Sequence, residues 1–192
     1  MASMNNSLIL ILLLFMVSCQ SEYDKLVKSE LESGVVYEDL IFDIKIGQTD
    51  QDFFKRCWEL NNQKLISQGP RNRHVRYVMK PQEIPDEDEE VEMLFYAIFD
   101  DSNIIRGMKK RFSYLSWAPW NESRHSPALI ERLKNYYLQL YGGNDFIEVE
   151  IDGSDVTSYV KVDGNRQILM FLADNKDVIV KIEDTRFKYQ KV

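Results

Sequence analysis

A chain of 192 residues with 44% apolar side chains has enough length and hydrophobic content for a buried core, as one domain or two small closely packed units, so a disordered chain is excluded. Asp and Glu outnumber Lys and Arg by 31 to 24, giving a net charge of −7, and residues 1–18 carry no charged side chain, so the acidity belongs to the body. Such a surface repels phosphate backbones, whose affinity comes from Lys and Arg releasing counterions, and anionic lipid gains no hold on it by charge alone; nucleic acid is not an expected partner.

The chain opens with ten consecutive apolar residues, Leu8 to Val17. As a helix they reach about 15 Å against a bilayer core of about 30 Å, so they do not span, but they suit the apolar region of a secretory signal. Met16-Val17-Ser18-Cys19 resembles a bacterial lipobox, although Met16 stands where Leu is usual and Met1 to Ser7 holds no Lys or Arg. The resemblance implies a signal peptide over 1–18, cleavage before Cys19, two acyl chains on its sulfur, and a further acyl group of the palmitate kind on the new amino terminus. Two or three chains anchor stably where one is marginal, since each buried methylene contributes about 0.8 kcal/mol. The competing reading is a soluble protein with Cys19 in a buried first helix, which fits less well an apolar run at the very N-terminus that turns polar at once. Gln20-Ser21-Glu22-Tyr23-Asp24 resembles the acidic tags that route some outer-membrane lipoproteins to the cell surface. With Cys19 lipidated, Cys57 is left without an intramolecular disulfide partner, and in an oxidising envelope it is expected to be buried.

Next along the chain, Tyr23, Leu26, Val27 and Leu31 fall on one helical stripe before Gly34, predicting a short helix over 22–33. Leu40, Phe42, Ile44 and Ile46 alternate with Ile41, Asp43 and Lys45 as a strand or extended segment. Thr49 followed by Asp52 predicts an N-cap close to a capping box, and Phe53, Phe54, Cys57, Trp58, Leu60 and Leu65 are expected to share the buried face of a helix that Gly69-Pro70 stops. Val75 to Met79, Val91 to Phe99 and Ile104 to Tyr114 read as three strands, with a proline-bounded acidic loop, Pro81 to Glu90, between the first two.

The second half repeats that order. Ser126 as cap and Pro127 at the first helical position begin a helix with Leu129, Leu133, Tyr136, Tyr137 and Leu140 inward, closed by Gly142-Gly143. Strands follow at Phe146 to Glu150, Val156 to Val162, Gln167 to Leu172 and Val178 to Glu183, with Asp152-Gly153 and Asp163-Gly164-Asn165 as turns. The expected fold is α+β: two successive helix-plus-antiparallel-meander units packed together, preceded by a lipoprotein signal peptide. The expected boundaries are 1–18 for the signal, 19–36 for the lipidated N-terminus and short helix, 37–122 for the first unit and 123–192 for the second. Whether the two sheets join is open at this level.

Tyr114, Trp117 and Trp120 surround Pro119 at the junction of the halves, either as a stacking platform for a sugar or peptide, or as a hinge whose rings fill the space between sheets. Asp86-Glu87-Asp88-Glu89-Glu90 lacks the alternating ligands and fixed glycine of a calcium loop and reads as a solvated turn. Arg71, Arg73 and Arg76 with Lys109, Lys110 and Arg111 make a basic patch for an anionic polymer such as lipopolysaccharide if the first and third strands lie close, or simply balance surface charge. His74 and His125 are the two histidines, and no HExxH, GxSxG or phosphate-cradling glycine loop occurs. Cys57 with either histidine would be a nucleophile–base pair only if brought together, and a thiol on an apolar stripe is inert. No catalytic residue, cofactor or metal ligand is assigned.

The blocks Glu22-Tyr-Asp-Lys-Leu-Val-Lys28, Cys57-Trp-Glu-Leu-Asn61, Trp117-Ala-Pro-Trp-Asn121 and Tyr159-Val-Lys-Val-Asp-Gly-Asn-Arg166 resemble a group of uncharacterised bacterial lipoproteins over most of the mature chain. Lys45-Ile-Gly-Gln-Thr49, opening a helix that precedes a sheet, is similar to the small outer-membrane assembly lipoproteins of the BamE type, which act as binding modules. The first resemblance brings no activity with it; the N-terminal address and the missing catalytic motifs give the expectation of a non-enzymatic, lipid-anchored binding or scaffolding protein of the bacterial envelope, in the outer membrane, held through Cys19 and binding another envelope protein or a polysaccharide. The alternatives are an envelope hydrolase with a carboxylate acid–base pair and a glycan-binding module using Trp117 and Trp120.

Overall fold

The computed structural model describes residues 21–150 and 157–189; the apolar leader, Cys19 and the Asp152-Gly153 turn lie outside them. Helix α1 (Glu22–Glu32) starts where the Ser21 hydroxyl accepts from the Asp24 amide, with Glu22 and Asp24 in its positive first turn. It ends at Ser33, and Gly34 follows in the left-handed region at φ +71°.

The segment expected as one strand is instead a small hairpin, β1 (Asp39–Ile41) and β2 (Ile44–Lys45). Phe42 and Asp43 make the reversal at φ 53° and 63°, the left-handed pair that a two-residue turn needs but that glycine or asparagine normally fills. Contacts from outside the hairpin hold it. The Phe42 ring meets Tyr77 edge-on at 5.1 Å, Arg56 Nε donates to the Phe42 carbonyl at 2.8 Å, and the same guanidinium pairs with Asp43 at 2.7 Å. Leu40, Ile44 and Ile46 are buried, as their alternation suggests.

Helix α2 (Asp50–Asn62) begins with the capping box read from Thr49 and Asp52, each side chain accepting from the other's backbone amide. It ends seven residues before Gly69, and a two-residue strand β3 (Ser67–Gln68) and a 3-10 turn over Pro70–Asn72 intervene. Strands β4 (Val75–Met79), β5 (Val91–Phe99) and β6 (Ile105–Tyr114) form the first meander. Helix α3 (Ser126–Tyr141) has His125, not Ser126, at its N-cap position, with no side-chain capping bond; Ser126 is the first helical residue and its buried hydroxyl donates to the Asp174 carbonyl. Its inward stripe is Leu129, Ile130, Leu133 and Tyr137, while Leu140 is half exposed. The second meander is β7 (Ile147–Glu150), β8 (Thr157–Asp163), β9 (Arg166–Leu172) and β10 (Val178–Asp184), followed by the short α4 (Arg186–Tyr189).

The two meanders share one antiparallel eight-stranded sheet, ordered β3-β4-β5-β6-β10-β9-β8-β7. The last strand of each half meets the other, from Val178 opposite Phe112 to Glu183 opposite Gly107. Gly107 is required at this seam, since a Cβ there would lie 2.3 Å from the Ile182 carbonyl oxygen. Phe53 and Leu60 of α2 and the α3 stripe join the inward residues of both meanders in one core. Side chains alternate along a strand, so Tyr159 faces that core while Val160 and Val162 face the opposite side, where Val27 of α1 covers them. The fold is α+β. No helix among the described residues is long and apolar enough to cross a bilayer.

Candidate functional site

Helix α2 buries Phe53 and Leu60 at spacing i, i+7, with Cys57 half-buried between them. Phe54 and Trp58 sit one residue further on, about 100° round the helix, which carries them off the core face. They are 51% and 68% exposed, where the sequence stripe had placed them inside, and Leu65 lies beyond the helix end at 41%. Phe53 instead packs edge-on against Tyr96 at 5.4 Å and Phe99 at 5.8 Å. Together with the turn after β3, the outer side of α2 encloses a groove of about 330 Å³ walled by Phe54, Cys57, Trp58, Asn61, His74 and Tyr96. The turn is held by the Gly69 amide donating to the His74 carbonyl, with Arg71 and Asn72 both at positive φ.

The electrostatics of the groove are one-sided. Burial lowers the His74 pKa, and the positive charges of Arg111, Lys109 and Arg73 lower it further. Burial pushes the Cys57 thiol up to about 11. The fold does bring Cys57 and His74 to one groove, but burial keeps the sulfur protonated and unreactive, and its expected full burial is only partial. The groove lies at the β3–β4 edge, whereas α1 covers β8 with β7 and β9 beside it at the opposite edge. Seven interstrand steps at about 4.8 Å separate the edges by roughly 34 Å.

The junction residues divide by burial. Tyr114 is 2% exposed and donates its hydroxyl to Glu87 at 2.6 Å; Trp117 is half-buried beside His125, ring centroids 6.0 Å apart; Trp120 is 85% exposed. The acidic loop is not simply a solvated turn. Glu87 is 3% exposed and lies 3.6 Å from Arg124, which also takes Glu89 at 2.9 Å, so the loop is fastened to the junction between the halves. The basic patch loses Lys110 to the core and Arg76 to an ion pair with Glu92, leaving Arg71, Arg73, Lys109 and Arg111; none of these four lines the groove itself, although the last three act electrostatically on His74, and Arg111 also lies 3.6 Å from Asp177. Burial raises the Asp177 pKa in the β9–β10 turn, where neighbouring Asp174 accepts from the Lys176 and Asp177 amides and so serves the turn itself. Among the described residues no three His, Cys, Asp or Glu side chains converge to hold a metal ion.

A buried ion cluster that no sequence motif announces lies at the β8–β9 turn, in the Tyr159–Arg166 block. Asp163 Oδ1 accepts from the Asn144 amide at 2.8 Å and from Lys161 Nζ at 2.9 Å; Oδ2 is 2.8 Å from the same ammonium, held by charge rather than along a hydrogen-bond direction. Arg166 lies 3.7 Å from Asp163, its guanidinium against the Tyr37 and Tyr141 rings. Glu30 of α1 accepts from the Gly164 amide at 2.7 Å and from Asn144 Nδ2 at 2.7 Å, and Asn165 bonds the Tyr37 backbone in both directions. Helix α1 is thereby clamped to the sheet. The available signal was parity, since Tyr159, Lys161 and Asp163 alternate on the core-facing side of β8. No protein-family model, no curated protein and no solved structure matches the chain.

Proposed function

We propose that this chain is a lipid-anchored protein of the bacterial cell envelope, held in the outer membrane by acyl chains on Cys19, and that its body is a binding module whose Phe54–Trp58 groove takes an anionic saccharide of the envelope. One observation carries the binding site: two large rings stand open on the outer side of a helix whose other side is in the core. Phe54 leans on Phe53 and Tyr96 while among the described residues no ring contact accounts for Trp58, and exposed aromatics beside a concave surface are the usual make-up of a recognition site. The positive charges of Arg73, Lys109 and Arg111, which act on His74 in the groove wall, supply the sign that an anionic polymer needs. Three residue steps separate Cys19 from the start of α1, at most about 11 Å. Because α1 is clamped to the sheet, an anchor at Cys19 would hold the whole body close to the bilayer in a fixed orientation, with the groove at the distant edge.

Tryptophan fluorescence of the purified full chain, titrated with lipopolysaccharide and with a neutral glycan, tests the groove. The expected result is a lipopolysaccharide-dependent change that survives Trp117→Phe and Trp120→Phe and is abolished by Trp58→Phe. A response that follows Trp120 instead would move the site to the junction, and no response at millimolar ligand would contradict the reading.

A further inference from the structure

Two lysines of the sheet are withdrawn from solvent, and the fold treats them differently. Lys161 has no exposed surface and three oxygens around its ammonium, from Asn144 and Asp163. Lys110 is 2% exposed, faces the core between Met108 and Phe112, and has as cross-strand neighbours Phe95 and Val180. Among the described residues no carboxylate, carbonyl or hydroxyl bonds or pairs with its amine, which lies over the Tyr137 ring, 5.5 Å from its centroid. A buried ammonium without a partner is costly, and a fold that supplies three acceptors at Lys161 does not lack the means to pair one.

Lys110 does not point into solid packing. It forms part of the wall of a cavity of about 330 Å³ between the β1–β2 hairpin and α3, where Leu40, Phe42 and Ile44 face Tyr136, Leu140 and Tyr141. That volume is in the range of small-molecule sites, and walls of apolar surface around one charged group are their common composition. The two acids that also line it are neutralised: Asp39 pairs with Lys45 at 3.3 Å and Asp43 with Arg56 at 2.7 Å, their side chains 80% and 82% exposed. The Tyr141 hydroxyl donates to the Leu40 carbonyl at 3.1 Å and makes no bond to the amine.

We propose that this cavity binds a small apolar carboxylate, its acid group meeting the Lys110 amine and its tail lying against Leu40, Phe42 and Leu140. The site is separate from the α2 groove and does not depend on it. Burial lowers the Lys110 pKa to about 7, so near neutrality part of the population carries no charge there. The remaining titratable groups facing it are Tyr136, Tyr137 and Tyr141 on α3, all with raised pKa, and the paired Asp39 and Asp43 on the hairpin. A bound carboxylate favours the ammonium, so binding takes up a proton above pH 7 and affinity falls about tenfold for each further pH unit.

Calorimetric titration of the full-length chain in lipid nanodiscs, with empty nanodiscs as the blank, uses hexanoate as probe and hexanol as its neutral counterpart. One hexanoate per chain is expected, bound at least tenfold more tightly than hexanol, with roughly tenfold loss between pH 7.5 and 8.5. Lys110→Met, which keeps the volume and removes the charge, should weaken hexanoate at least tenfold and leave hexanol unchanged. Leu140→Trp, at a half-exposed position that tolerates size, should block both. Absence of hexanoate binding, equal affinity for the two probes, or undiminished hexanoate binding by a folded Lys110→Met protein would each overturn the proposal.

Discussion

Asp163→Ala tests the clamp that fixes α1 to the sheet. The substitution removes both carboxylate oxygens from Lys161, whose ammonium has no exposed surface and would keep only the Asn144 carbonyl, and it leaves the Asn144 amide without its acceptor. Arg166, 4% exposed at its side chain, loses its ion partner at the same stroke. Removing one member of a buried ion pair costs about 3–5 kcal/mol, because the other charge stays buried and uncompensated. At about 3 °C per kcal/mol for a domain of this size, the melting temperature should fall by roughly 12 °C, measured by circular dichroism with urea unfolding as the independent scale. Amide exchange at Gly164 and over α1 should accelerate with it, since Glu30 and Asn144 meet at the same turn. The paired variant Lys161→Met with Asp163→Leu removes both charges and should recover more than half of the loss. A loss below about 1 kcal/mol for Asp163→Ala, or a paired variant worse than the single one, would refute the assignment of this cluster as the clamp.

Gly107→Ala should destabilise by about 1–3 kcal/mol through overpacking at the β6–β10 seam, and exchange should rise at Ile182 and Glu183 before it does within either meander. Trp58→Ala should change stability by less than about 0.5 kcal/mol, its side chain being 68% exposed, and Phe54→Ala by about 1 kcal/mol through its lost contacts with Phe53 and Tyr96, yet each should weaken lipopolysaccharide binding at least tenfold. Cys57, with its thiol pushed up to about 11, should react with iodoacetamide at pH 7.5 on the order of 300-fold more slowly than an ordinary cysteine, rising about tenfold per pH unit towards that pKa; a rate like that of free cysteine would contradict its burial.

What could be read from the chain was what its own neighbours determine. The Thr49–Asp52 capping box, the strands flanking Asp163-Gly164-Asn165 and the glycine pair after α3 depend on residues within a few positions of each other, and they stand as expected. The Phe42-Asp43 reversal was hidden because neither residue favours positive φ; the contacts that hold it come from Arg56 and Tyr77. Glu87 looked solvated because its partners, Tyr114 and Arg124, lie 27 and 37 positions away. The joining of the two meanders depends on β6 meeting β10, a pairing that crosses the whole second half of the chain. Of the candidate sites, the groove was misread as core because a stripe six residues wide exceeds what one side of α2 can bury. Lys110 was legible in principle, since Met108, Phe112 and Tyr114 share its parity on β6, but a lysine there reads as surface until the strand is placed.

Both the anchor and the orientation of the body depend on the state of Cys19, which intact-mass analysis of the protein purified from native membranes, compared with Cys19→Ala in membrane fractionation, tests. The expected mature form begins at Cys19 and exceeds its polypeptide mass by two or three acyl chains, and the variant leaves the membrane fraction. A native chain that begins upstream of Cys19, or one of unmodified mass, would contradict the anchor and the orientation built on it.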